Sequence, residues 1–325
     1  MTEMLIDHCF CFSCSELKRT KSTYNEFIRS SAGETYNVDP EQAITVLKKY
    51  RFKKAVVTTV NRYALLSGRG ITLKWEAPDL SMHPGEQLMT LKIEPGGIAA
   101  AVVSSDCLEE DIEYSLNCFS HDGYLKHRIA VTNDVPSKRA FENIVVSDQQ
   151  PIFFDDCGTE NIISLAVARG LQKNWDTKGI CWHLQSLLVD QGRSRRKVLT
   201  MLDTDKARRL LPEIVGPLLL NLYQMGMVYV RGLPNKGLLH TDASDVLKLE
   251  ADDNYIFIHS NLGTAVLNQS NIGSCWETTF DDKGDTVSFV EIYSKCGQCI
   301  AVLMPYRNYL LRQWREIIAS LPSKN

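Results

Sequence analysis

Residues 113–129, EYSLNCFSHDGYLKHRI, and residues 287–303, VSFVEIYSKCGQCIAVL, are written to one pattern 174 positions apart. Each reads as two alternating apolar strands around a turn, and Gly123 falls over Gly297 at the point where a positive φ is useful. A loop and a helical tail follow both, KRAFENIV in the first and QWREIIASL in the second. Upstream, residues 50–60 (YRFKKAVVTTV) lie over 223–233 (YQMGMVYVRGL) at an offset of 173, and the apolar helical stretches AITVLKK and VGPLLLNL precede them. Two registers that differ by one residue read as an internal duplication.

The expected fold class is therefore α+β: two copies of a helix plus antiparallel-sheet unit, forming two stacked sheets with a cleft between the halves. The segments LMTLKI (88–93), GIAAAVVSS (97–105), NYIFIHS (254–260) and TAVLNQ (264–269) are further strands, rich in β-branched or apolar residues and bounded by turn formers. Residues 1–35 form an N-terminal segment, 36–146 the first repeat, 147–160 a polar linker and 161–325 the second repeat.

Composition narrows the function. With 36 basic against 39 acidic side chains the net charge is −3, so no global field draws the chain onto nucleic acid. No apolar run reaches the roughly 18–20 residues that span a bilayer. The opening MTEMLIDHCFCFSC places Glu3 and Asp7 where a secretory signal has basic residues, so the ten cysteines are expected as reduced thiols in a cytoplasm. Cys9, Cys11 and Cys14 with His8 leave two readings, a metal cluster of unusual spacing or a frayed terminus. SGRG (67–70) and PGG (95–97) lack the context of a phosphate loop, and neither a Gly-x-Ser-x-Gly elbow nor a His-Glu-x-x-His helix occurs.

The second half resembles the bacterial cytoplasmic haem-utilisation, or haemin-degrading, family (HemS/HmuS/ChuS-like). The resemblance rests on the run from Ile258 through Trp276 to VSFVEIYSKCGQCIAVLMPYR (287–307), on Ser288, Glu291, Tyr293 and Gly297 within it, and on the closing QWREIIASLP. In the first half, SLNCFSHDGYLKHRI follows the matching hairpin. The likeness spans about residues 40–320 and is weaker between 60 and 112. It implies haem (iron protoporphyrin IX) as the ligand.

Such a site needs an axial donor, commonly a neutral imidazole, and cationic or hydroxyl groups for the propionates. In the resemblance the axial position falls on Trp182 of GICWHLQSLL (179–188), with His183 one residue later; one residue is a 100° turn of a helix. His183 thus stands under two readings, iron ligand or half-buried histidine bonded to a carbonyl. Arg195 of RSRRK and Arg307 of MPYRN match arginines near the haem edge and a propionate, and guanidinium groups suit that role. Lys92 takes the place of a distal arginine, which makes it the catalytic candidate. Phe280 and Met304 stand where polar groups are expected, with Tyr306 and Lys283 as nearby substitutes. His240 is the reserve iron donor. His259, His121 and His127 read as surface or hairpin residues, and His83 as a loop residue.

Three functions follow from the resemblance: degradation of haem with an external electron donor, carriage of haem to an accepting protein, or a related fold whose haem site has been lost to another ligand. The expected partners are haem, an electron donor or haem acceptor, and a second copy of the chain as a homodimer.

Overall fold

The computed structural model describes residues 23–31, 33–50, 55–69, 88–105, 112–132, 135–151, 153, 165–306 and 310–323. Cys9, Cys11, Cys14, His8, His83, Arg307 and most of the proposed linker lie outside the described residues.

The strands are β1 (Thr35–Val38), β2 (Ala55–Asn61), β3 (Ala64–Arg69), β4 (Leu88–Ile93), β5 (Ala100–Ser104), β6 (Ile112–Phe119), β7 (Leu125–Thr132), β8 (Ala207–Leu210), β9 (Tyr229–Asn235), β10 (Leu238–Ala243), β11 (Val246–Ala251), β12 (Tyr255–Ser260), β13 (Gly263–Asn268), β14 (Ile272–Asp282), β15 (Asp285–Ser294) and β16 (Cys299–Pro305). The helices are α1 (Tyr24–Ser30), α2 (Pro40–Leu47), α3 (Val135–Glu142), α4 (Leu165–Asn174), α5 (Ile180–Ser186), α6 (Arg193–Leu199), α7 (Val215–Gln224) and α8 (Leu311–Ala319). All the strands and helices expected above are among them, so the chain is α+β.

Two antiparallel sheets result, and they follow one plan. The first runs β1-β5-β6-β7-β2-β3 and continues into β13-β12-β11; the second runs β8-β14-β15-β16-β9-β10 and continues into β4. Each half thus completes its partner's sheet: β13 pairs with β3, Gly263 opposite Gly68, and β4 pairs with β10, Leu238 opposite Ile93. Main-chain ladders, not only side chains, tie the halves together.

The hairpins carry the equivalence at residue level. Gly123 and Gly297 both turn through the left-handed region, at φ 79° and 84°, where a side chain would strain the backbone. The β2–β3 and β9–β10 turns also correspond at 174, one more than the offset expected from sequence, because Asn61 faces Ala64 as Asn235 faces Leu238. These two asparagines reach across to one another's hairpins. Asn61 donates to the Pro234 carbonyl at 3.2 Å and Asn235 to the Val60 carbonyl at 2.7 Å.

Helices fill the faces. α2 starts on Asp39, whose carboxylate accepts from Gln42 N–H at 2.7 Å, with Pro40 in its first turn. α2 and α3 bury Ile44, Leu47 and Phe141 against Val57, Val103 and the exchanged strand's Met89 and Leu91. α7 and α8 bury Leu218, Leu222, Trp314 and Ile318 against Leu303 and the exchanged Ile256 and Ile258. Each such fully buried aliphatic contributes about 1.5–3 kcal/mol. The outer face of the second sheet is covered by α4, α5 and α6 through Ala168, Leu184, Leu188 and Val198, packed on Val230, Phe289 and Val302.

Candidate functional site

The outer face beneath α5 and α6 gathers most of the residues singled out in the sequence. α5 begins where Asp282, at the end of β14, accepts the Ile180 N–H at 3.1 Å. The Asp190 carboxylate then caps α6, accepting from Ser194 N–H at 3.0 and 3.1 Å. These anchors bring the imidazole of His183 and the guanidinium of Arg195 to the same buried point.

Arg195 is 1% exposed and meets Glu291 of β15, with Nε 3.0 Å from both carboxylate oxygens and Nη2 2.6 Å from Oε1. Its Nη1 donates to Ser186 Oγ at 2.8 Å and to His183 Nδ1 at 3.1 Å, and its Cζ lies 4.5 Å from the Trp175 ring centre. Glu291 also accepts from Thr278 Oγ1 and Tyr293 OH, each at 2.6 Å. Burial works against the Arg195 charge, but the Glu291 carboxylate outweighs it and the guanidinium pKa is pushed up. The ion pair is complete within the core.

His183 is fully buried. Because Arg195 can only donate, Nδ1 must be the bare nitrogen, and Nε2–H then donates to the Trp175 carbonyl at 3.1 Å. Phe280 stacks on the ring at 3.7 Å and 18°, while Trp175 and Trp182 meet it edge to face. Burial and the neighbouring Arg195 push the imidazole pKa down to about 2. Both nitrogens are committed inside the protein, so of the two readings of His183 the structure has the histidine bonded to a carbonyl.

Other expectations need correction. Arg195 does not line a ligand edge, because Glu291 takes its charge in the core. Lys92 does not face α5 across a slot: the exchange of β4 puts it on the α5 side of the second sheet, where its amine donates to the Gln185 side-chain oxygen. The Gln185 amide in turn donates to Glu94. His240 is buried on the inner face, bonded to Thr59 at 3.1 Å, and is not placed with His183. His127, of the two readings given to it, is the hairpin residue: it lies on β7, fully buried, and also meets Thr59. Phe280, Met304 and Tyr306 belong to the apolar cluster under the helices. Lys283 sits exposed at the β14–β15 turn with φ 58°, beside Gly284 at φ 90°. His259 and His121 are partly exposed, as expected.

Sequence reasoning missed Glu291 as the partner of Arg195, although the residue was quoted in the hairpin motif, because 96 positions separate the two. It also missed Gln185. Among the described residues no group of three or more His, Cys, Asp or Glu side chains is placed to hold a metal ion, and no helix is long and apolar enough to cross a membrane.

No protein-family model matches the chain, and no curated protein sequence matches it significantly. Solved structures do. Apo-PhuS, a heme-binding protein from Pseudomonas aeruginosa, superposes with TM-score 0.69 at 16% identity over 96% of this chain and 97% of its own. ChuS, an E. coli heme oxygenase, superposes with TM-score 0.70 at 16% identity over 98% of both chains. The chain has the ChuS and PhuS fold. At this identity the ChuS/PhuS likeness fixes topology and not the side chains of a site. What this chain places where β4 of one half meets α5 of the other is a half-buried group, Trp182, Gln185, Lys92 and Glu94, flanked by the exposed Cys181 and Val189.

Proposed function

We propose that this chain binds haem as a carried ligand, taking it from and passing it to other proteins. The observation that supports the reading is the whole-length fold shared with a heme-binding protein and a heme oxygenase. On this reading the macrocycle would lie over the surface that α5 and β4 share, with Trp182 offering an aromatic face and Lys92 a cation for a propionate once it is released from Gln185. Ring opening asks more of a site than carriage does. It needs an axial donor and a distal donor on opposite sides of the ligand, whereas here Lys92 and α5 touch through Gln185, and the imidazole on α5 is engaged. The two copies of one strand order are read as products of one ancestral unit.

Haemin titration tests the proposal. A Soret band that saturates at one haem per chain, with haem then lost unchanged to an acceptor such as apomyoglobin, is expected. Formation of a verdin with a reductant would replace carriage by degradation. A second reading is favoured by Phe280 stacked on His183 and by Gln185 bridging Lys92 and Glu94: the fold kept, its site rebuilt for another ligand. Absence of any spectral change on adding haemin would overturn carriage of haem and leave that reading standing.

A further inference from the structure

At the centre of the molecule, away from the surface between β4 and α5, the inner faces of the two sheets meet on three polar side chains. Thr59 comes from β2 and His127 from β7 of the first sheet, and His240 from β10 of the second. All three are fully buried. His127 Nδ1 lies 2.8 Å from Thr59 Oγ1, and His240 Nδ1 lies 3.1 Å from the same oxygen. The Nε2 atom of each ring has no hydrogen-bond partner among the described residues.

One hydroxyl carries one proton. Thr59 can therefore donate to one imidazole and must accept from the other, which forces the rings into opposite tautomers. The shorter contact, 2.8 Å at His127, suits the hydroxyl as donor, and the longer, 3.1 Å at His240, suits an N–H donor. We infer that Thr59, His127 and His240 form a one-directional relay fastening the two sheets, in which His240 Nδ1–H donates to Thr59 and the Thr59 hydroxyl donates to His127 Nδ1. His127 is then the Nε2–H tautomer. His240 keeps a bare Nε2, the one lone pair of the relay that can take up a proton without breaking a bond.

The two rings sit in different surroundings. On β7, Lys126 and Arg128 flank His127, and Cys118 of β6 lies opposite it in register. Burial, His240 and Lys126 all push the His127 pKa down, to well below its ordinary value. On β10, Asp242 stands two residues from His240, held by Arg231 of β9 through bonds of 2.7 and 2.8 Å. Burial lowers the His240 pKa to about 4, with Asp242 and the Leu66 carbonyl of β3 opposing that fall. The two rings are thus unequal, and His240 is the one that charges first on acidification.

Long-range 1H–15N correlation spectra of the labelled full chain at neutral pH test the relay, with His127→Gln and His240→Gln used for assignment. The expected spectrum shows His127 protonated at Nε2 and His240 at Nδ1, each as a single tautomer. On acidification His240 titrates before His127. Thr59→Ser keeps the pattern, while Thr59→Val abolishes it and moves the acid transition toward neutral pH. The same tautomer for both rings, the reverse pair, or His127 charging first would overturn the inference, and these readouts come from the wild-type chain even if Thr59→Val does not fold. An unchanged spectrum in Thr59→Val would overturn it as well.

Discussion

Arg195 holds Glu291 by a two-pronged ion pair inside the core, Nη2 to Oε1 at 2.6 Å and Nε to both oxygens at 3.0 Å, with neither side chain exposed by more than 1%. Thr278 and Tyr293 spend their hydroxyl protons on the same carboxylate. Removing the negative charge therefore strands a buried guanidinium. Glu291→Gln is expected to cost about 3–5 kcal/mol of stability. Urea unfolding should show the midpoint fall with little change in slope.

His183 is held by the same network. His183→Ala removes a ring stacked on Phe280, the acceptor of one Arg195 N–H and the donor to the Trp175 carbonyl. The expected cost is about 2–4 kcal/mol. Haemin added to the variant below its unfolding temperature should give the wild-type Soret maximum. A displaced maximum would mean that the imidazole leaves the core to meet iron.

Acid should loosen the fold. His183, His240 and His127 all have folded pKa values below the ordinary 6.5, at about 2, about 4 and well below 6.5, with burial the largest cause for each. A depressed imidazole pKa means that the unfolded chain binds the extra proton more readily. This contribution to stability is complete above about pH 6.5 and is lost as the pH falls toward 4 for His240 and toward 2 for His183. Each ring adds a slope of up to about 1.4 kcal/mol per pH unit within its window. Urea titrations at stepped pH values between 7.5 and 4.5 should show the decline, and His240→Gln should make it shallower by the share of one ring.

The halves also meet backbone to backbone. Gly237, in the β9–β10 turn at φ 70°, would place a Cβ 2.7 Å from Gly97 Cα, and Lys126 donates to the Gly97 carbonyl at 2.7 Å close by. Gly237→Ala meets both a left-handed backbone and a neighbour that cannot move aside. A loss of about 1–3 kcal/mol is expected, read as a lowered thermal midpoint.

Much of this molecule is local, and local patterns are visible in a sequence. Alternation marked the strands, and the two glycines marked the hairpin turns. The repeated order EYSLNCFSHDGYLKHRI and VSFVEIYSKCGQCIAVL carried the strand plan, because side-chain period and turn chemistry depend only on near neighbours. The candidate site was legible only as a set of residue types. His183 and Arg195 were singled out one by one and not as partners, since an imidazole and a guanidinium read the same whether they face a ligand or each other.

The sequence by itself determined the α+β class, the strand periods and the hairpin turns. Only the tertiary structure decided that β4 and β13 change sheets, that Lys92 meets Gln185, that Glu291 neutralises Arg195 and that Thr59 joins two histidines from different sheets. The physical reason is sequence separation. These choices are contests between partners 68 or more residues apart, won by burial and by the cost of leaving a charge or polar atom unpaired, and no local pattern records which partner arrives.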